Sequence, residues 1–343
     1  MRITVLAGGV GGARFVRGLR HHLDQSGQAV GADGASGTRI TVVGNTGDDI
    51  TLMGMRVCPD LDTLLYTLGG GVHEAQGWGR AGESFRAQDE LSALGVGPPW
   101  FGLGDADLGT HIARSHWLAE GVTLSEVTAR LARRWGLPRA GIDLVPATDE
   151  PIETHVVIEA EAADSPDHAR QGAGERAVHF QQWWIQMQAA VPARRFVVAG
   201  LSSAVAAPGV LSAIREADVV LVPPSNPVVS IGIIASVPGV RDALRGTRAP
   251  VVGVSPIIGG APVRGHADAC LRPLGVPVSA AGVAGLYRDF LDGWVVDTVD
   301  RDEDYQAVPT RARDLRMHDV ESAGSIAATA LALAQELRAE RGR

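Results

Sequence analysis

Four aspartates fall within fifteen residues: Asp48 and Asp49 in Asn45-Thr46-Gly47-Asp48-Asp49, Asp60 and Asp62 in Pro59-Asp60-Leu61-Asp62. Carboxylate pairs on two neighbouring loops suit a hard divalent cation such as Mg²⁺, which takes oxygen ligands alongside substrate phosphates. Aspartate also caps helices and shapes turns, and that accounts for one or two of the four. If Asp62 were only a cap, asparagine could replace it without loss of stability. Upstream stands Gly8-Gly9-Val10-Gly11-Gly12-Ala13-Arg14. Glycines let backbone N–H groups approach a phosphate, a helix N-terminus favours negative charge, and Arg14 adds a clamp. The competing explanation is a tight turn for close packing of a strand on a helix. The spacing is not G-x-G-x-x-G, which argues against an ordinary dehydrogenase.

Further segments carry weaker signals. Pro223-Pro224-Ser225-Asn226-Pro227 and Ser255-Pro256-Ile257-Ile258-Gly259-Gly260 are uncharged turns, and Ser225 and Asn226 offer hydrogen bonds to a base or sugar. Gly102-Leu103-Gly104-Asp105-Ala106-Asp107, with Thr110, His111 and Arg114, places polar groups at a helix start. His179-Phe180-Gln181-Gln182-Trp183-Trp184 gathers aromatics that form either a stacking platform for a planar ring or the core of a small subdomain.

Composition narrows the classes. The net charge of −8, with no basic block, argues against a nucleic-acid partner. All 31 cations are arginine, so a Schiff-base lysine and a P-loop lysine are both excluded. Two cysteines, Cys58 and Cys270, are too few for a disulfide framework or a structural zinc site. No apolar run reaches the ~18 residues of a membrane span, and Met1 leads straight into a strand pattern. The expectation is a reduced, cytoplasmic protein.

The elements that must position these residues alternate. Ile3–Ala7, Arg39–Val43, Phe196–Ala199, Val219–Val222 and Val251–Val254 read as strands. Helical patterns follow Gly12 and run over 59–69, 123–135, 209–217, 240–245 and 323–341; Pro59 opens one, and Thr123 with Glu126 forms a capping box. Residues Gln25–Gly37 and Ala163–Arg176 read as loops, and Glu153–Ile158 and Ala177–Phe180 as two further strands. This predicts an α/β fold with a doubly wound, mainly parallel Rossmann-like sheet. Residues 1–140 and 190–343 would form the core binding a donor nucleotide. Residues 141–189 would be a smaller inserted subdomain.

Val5-Leu6-Ala7-Gly8-Gly9-Val10-Gly11-Gly12-Ala13-Arg14-Phe15, Val57-Cys58-Pro59-Asp60-Leu61-Asp62-Thr63, His179-Phe180-Gln181 and Pro224-Ser225-Asn226-Pro227-Val228-Val229-Ser230 resemble the 2-phospho-L-lactate transferase family of coenzyme F420 biosynthesis. The opening motif and Leu68-Gly69-Gly70-Gly71 look closest to its actinobacterial branch, which transfers phosphoenolpyruvate. The resemblance implies a Rossmann-like homodimer using Mg²⁺. It implies transfer of a phospho-acid from a lactyl or enolpyruvyl diphosphoguanosine to the ribityl hydroxyl of 7,8-didemethyl-8-hydroxy-5-deazariboflavin, releasing GMP. It puts Asp62 and Gly102, with Thr110 and Arg114 beside them, on the deazaflavin, and assigns Asp48, Asp49 and Asp60 to the metal. Gly8, Gly9, Gly11, Gly12, Arg14, Ser225 and Asn226 would hold the nucleotide half. Asp62 and Asp49 are the candidates for catalysis, and spacing leaves open which carboxylate is ligand and which is base. The alternative is a nucleotide- or sugar-nucleotide-binding regulator without turnover.

Overall fold

The apolar run that opens the chain becomes β1 (Arg2–Ala7), buried from Ile3 onward as expected for a central parallel strand. The computed structural model describes residues 1–28, 37–160 and 174–341. The other strands are β2 (Arg39–Gly44), β3 (Ile50–Leu52), β4 (Met55–Val57), β5 (Ile142–Pro146), β6 (Glu153–Glu159), β7 (Glu175–His179), β8 (Ala193–Ala199), β9 (Val219–Val222), β10 (Val251–Val254), β11 (Ile257–Ile258), β12 (Ala261–Pro262), β13 (Gly293–Val296) and β14 (Thr310–Ala312). Seven form one sheet in the order β14-β13-β10-β9-β1-β2-β5, and every pairing in it is parallel.

Alternate side chains of this sheet feed two cores. Ile3, Val5, Ile40 and Val42 pack with helices Gly9–Gln25, Pro59–Leu68, Leu124–Arg134 and Val320–Arg341. Leu6, Val43, Val220 and Val222 face the helices Val210–Arg215, Ile231–Ser236, Val240–Gly246, Ala267–Leu271 and Ala280–Leu286. The sheet is thus covered on both faces, the doubly wound arrangement the alternation predicts. Pro59 stands at the first position of its helix, and Leu61, Leu64, Leu65 and Leu68 are all buried in the first core. Thr123 Oγ1 accepts the Glu126 N–H at 3.4 Å.

Two strands differ from expectation. Phe196–Ala199 was expected in the parallel sheet, but β8 pairs antiparallel with β6, whose other neighbour is β7. β5, expected within the insert, pairs parallel with β2 at the edge of the main sheet. A short apolar run reads the same in either setting; only its partner decides. Residues 29–36 and 163–173 of the expected loops lie outside the described residues, and Glu175 and Arg176 belong to β7. Among the described residues no helix is long and apolar enough to cross a membrane.

Candidate active site

The chain winds outward from β1 through β2 and β5 on one side and through β9, β10, β13 and β14 on the other. Beyond the carboxyl ends of β1 and β9 the order reverses, and there such sheets bind ligands. A cavity of about 650 Å³ opens at that point.

The Gly-rich run closes one wall. The Gly8 N–H donates to Ser225 Oγ at 3.2 Å, and that hydroxyl donates to Gly8 O at 2.7 Å. A Cβ on Gly11 would meet Pro224 O at 2.4 Å, and one on Gly12 would meet Ser225 Oγ at 2.8 Å. The glycines let the loops after β1 and β9 close on each other, so close packing accounts for much of the run. Gly8, Gly9, Gly11, Arg14, Ser225 and Asn226 all reach the cavity wall, whereas Gly12 lies behind it.

Asp48 and Asp60 meet at the end of β2. Asn45 Nδ2 lies 2.9 Å from Asp60 Oδ2, 3.2 Å from Asp48 Oδ1 and 3.1 Å from Val229 O. Three acceptors share two amide protons, so Asp48, which has no other side-chain donor among the described residues, is short of donors. Arg56 pairs with Asp49 and Glu153, and Arg114 with Asp62. Burial, then the charge of Asp60, raises Asp48 well above the usual carboxylate range. Burial also pushes Asp60 up to about 6, against hydrogen bonds from Asn45, the Gly9 N–H and Ser230. Two buried, mutually repelling carboxylates fit a divalent cation, which would remove the repulsion and complete its shell with phosphate oxygens. Among the described residues, no group of three or more His, Cys, Asp or Glu is placed to hold a metal by itself.

Asp49 does not join them on the cavity wall. It is fully buried, its carboxylate 3.6 Å from Arg56 Nη2 and its carbonyl O 3.2 Å from His179 Nε2. Burial outweighs Arg56 and pushes its carboxyl up to about 7.

Asp62 does reach the cavity, but both its oxygens are engaged. Arg114 Nη1 donates to Oδ2 at 3.1 Å and Nη2 to Oδ1, a bidentate pair in which the two residues are 1% and 4% exposed. Arg114 Nη1 also lies 3.1 Å from His111 Nδ1, His111 Nε2 is 3.3 Å from Asp107 Oδ2, and Tyr66 Oη donates to Asp107 Oδ1 at 2.5 Å. Asp107, His111 and Arg114 share one face of the helix Asp105–Ala119 at i, i+4 and i+7. Arg114 and Thr110 stand behind the wall, Thr110 hydrogen-bonding the Tyr66 hydroxyl. A carboxylate held by a guanidinium is a well-oriented hydrogen-bond acceptor.

Two apolar walls complete the cavity. Trp100 and Phe101 pack edge to face at 5.8 Å beside Gly102, and Phe180 and Trp184 lie 5.2 Å apart on another side. The aromatic cluster thus divides: Trp183 is fully buried, its indole donating to Val191 O at 2.8 Å; Phe180, 2% exposed, packs in the same core and borders the cavity, and the less buried Trp184 lines it. Sequence reasoning missed Asn45, Tyr66, Trp100, Phe101, Ser230 and Arg264 as site residues. The adjacent Trp100-Phe101 before Gly102 was the available signal.

The family model described as "2-phospho-L-lactate transferase CofD" matches residues 3–331. A protein of Thermobifida fusca named phosphoenolpyruvate transferase is 56% identical over 98% of this chain and 99% of its own length. Proteins of the same name from Streptomyces coelicolor and Mycolicibacterium smegmatis are 52% and 48% identical over 98% and 97% of this chain, and 99% of each relative. Among solved structures, a UPF0052-family protein of Bacillus halodurans superposes with a TM-score of 0.59 at 14% identity, covering 96% of this chain and 98% of that one. At that identity the likeness concerns the fold alone.

Proposed function

We infer the reaction from one premise: the chain belongs to the 2-phospho-L-lactate transferase family and is a transferase of coenzyme F420 biosynthesis. The donor in this reading is an enolpyruvyl, or 2-phospho-L-lactyl, diphosphoguanosine, and the acceptor is 7,8-didemethyl-8-hydroxy-5-deazariboflavin. The terminal ribityl oxygen bonds to the phosphorus that carries the acid. The bond from that phosphorus to the bridging oxygen breaks, GMP leaves with the electron pair, and the hydroxyl proton passes to solvent or a carboxylate.

The observation that carries this reading is the buried, mutually repelling Asp48–Asp60 pair at the switch point, with Arg56 and Arg114 committed to other carboxylates. Asp48 and Asp60 would hold Mg²⁺, which when bound supplies charge neutralisation for the diphosphate. Asp62, fixed by Arg114, orients the ribityl hydroxyl rather than taking its proton. Phe180 and Trp184 on one wall, and Trp100 and Phe101 on another, offer faces for the deazaflavin ring. Asp49 acts from behind the wall, where its pairing with Arg56 anchors the loop that carries Asp48.

The test incubates the protein with the deazaflavin, Mg²⁺ and each donor, and follows the deazaflavin by mass spectrometry. Addition of the phospho-acid, with GMP released, supports the reading, and the faster donor identifies the acid. Binding of both substrates without product would favour the regulator.

A further inference from the structure

Gly77 marks a point at which two guanidinium groups converge. A Cβ there would lie 3.2 Å from Arg264 Nη1 and 3.3 Å from Arg14 Nη2. The two nitrogens therefore stand no farther apart than those distances combined. Arg14 comes from the second turn of the helix Gly9–Gln25, Arg264 from the turn after β12, and both line the cavity. At φ +75° Gly77 holds a left-handed conformation that disfavours a side chain, and a Cβ there would also meet Val10 Cγ1 at 2.8 Å, so only glycine lets this backbone come so close to both arginines.

Neither guanidinium is neutralised where it stands. Arg264 Nη2 donates to the carbonyl of Gln76, a neutral partner. Arg14 forms no ion pair within 4 Å among the described residues; Glu74 feels its charge, but both Glu74 oxygens already accept from Arg17, at 2.7 and 3.3 Å. Burial and the facing Arg14 hold Arg264 below the usual guanidinium range. Two like charges facing an open cavity are stabilised by an oxyanion between them, which arginine binds in a planar fork.

The opposite end of the cavity is acidic. Asp60 lies against Gly8 and Gly9, where a Cβ on Gly8 would meet its Oδ2 at 2.6 Å. Five residues of helix, about 7.5 Å of rise, separate Gly9 from Arg14. The cavity thus runs from a carboxylate pair to an arginine pair, a polarity suited to a ligand with anionic groups at more than one place. We propose that Arg14 and Arg264 form an oxyanion subsite taking one charged end of the donor, either the carboxylate of the transferred acid or the phosphate that leaves as GMP. The assignment of the ligand to a donor rests on the transferase reading; the arginine geometry does not.

Arg14→Gln and Arg264→Gln test it. Each should raise the donor KM about tenfold or more, the scale of one charge-assisted hydrogen bond, with the deazaflavin KM and the melting temperature unchanged. Weakened product inhibition by GMP assigns the subsite to the leaving phosphate; unchanged inhibition assigns it to the carboxylate. Calorimetric titration with GMP and with phosphoenolpyruvate reads the subsite without turnover. The wild type should bind at least one, and Arg264→Gln should lose about tenfold in that affinity. Arginine-dependent binding in a protein that never releases GMP would overturn the transferase reading and leave the subsite standing. Unchanged donor KM in both variants, equal loss for donor and deazaflavin, or ligand binding indifferent to Arg264 would overturn the subsite.

Discussion

Replacing Arg114 by methionine keeps most of the side chain's volume and removes the cation that both oxygens of Asp62 engage. Removing one partner of a buried ion pair costs about 3 to 5 kcal/mol, because the other charge stays buried and unpaired. His111 Nδ1, 3.7 Å from Asp62 Oδ2, leaves the carboxylate a polar neighbour, which places the loss toward the lower end, about 3 kcal/mol. A chain of this length unfolds with an entropy of roughly 0.7 kcal/mol/K, so the melting temperature should fall by about 4 °C. Asp62→Asn leaves the guanidinium buried without its counter-charge and should cost a similar amount. This departs from the capping alternative, under which asparagine is harmless. The residue before the helix is Cys58, whose carbonyl accepts the Asp62 N–H at 2.9 Å, and the Asp62 carboxylate turns to Arg114. The double variant Asp62→Asn/Arg114→Met buries neither charge and should melt above Arg114→Met alone. If Arg114 acts through Asp62, the two single variants and the double should lose GMP release to the same extent. Thermal denaturation and a GMP assay on the three proteins decide the matter. An Arg114→Met protein that melts within about 1 °C of wild type, or losses of GMP release that multiply in the double variant, would refute the reasoning.

The Asp48–Asp60 pair predicts an inverted pH dependence of stability without metal. Both folded-state values lie above the ordinary carboxylate value of about 3.9, Asp60 at about 6. Their contribution is therefore fully present below about pH 4 and is lost as pH rises through 6. The metal-free protein should melt lower at pH 7 than at pH 5, Asp60→Asn should make that slope shallower, and Mg²⁺ should raise the melting temperature at pH 8. A slope identical in Asp60→Asn and wild type would contradict the assignment. Gly11→Ala should cost about 1 to 3 kcal/mol, since its Cβ would press on a backbone carbonyl 2.4 Å away. Donor binding that weakens while the melting temperature holds would instead restore a direct phosphate role for Gly11.

The fold was legible where pattern and chemistry agreed. The Ile3–Ala7 run, Pro59 with its leucine face, and the Thr123 cap each state their element locally. β8 was not legible in its place, because Ala193–Ala199 becomes an antiparallel strand only through β6, about forty residues earlier. The carboxylates were legible as a cluster but not in their division of labour. Burial, supplied by elements distant in sequence, separates Asp48 and Asp60 on the cavity wall from Asp49 behind it. The spacing Asp107, His111, Arg114 marks one helix face, yet only the packing of that helix against β4, just before Pro59, aims Arg114 at Asp62 instead of at a ligand. Arg264 carried no local signal, since Gly77 and Arg14, which give it meaning, lie far away in sequence.

The central claim is that Asp48 and Asp60 present a divalent cation to the diphosphate of a guanylylated donor. GMP release, measured with enolpyruvyl diphosphoguanosine and the deazaflavin while Mg²⁺ is titrated into EDTA-stripped wild type and Asp60→Asn, tests it most directly. The account predicts no release from stripped wild type, recovery on addition of Mg²⁺, and a loss of roughly two orders of magnitude or more in Asp60→Asn at saturating donor. Full release from the stripped protein, or an Asp60→Asn variant with the Mg²⁺ dependence and rate of wild type, would contradict it.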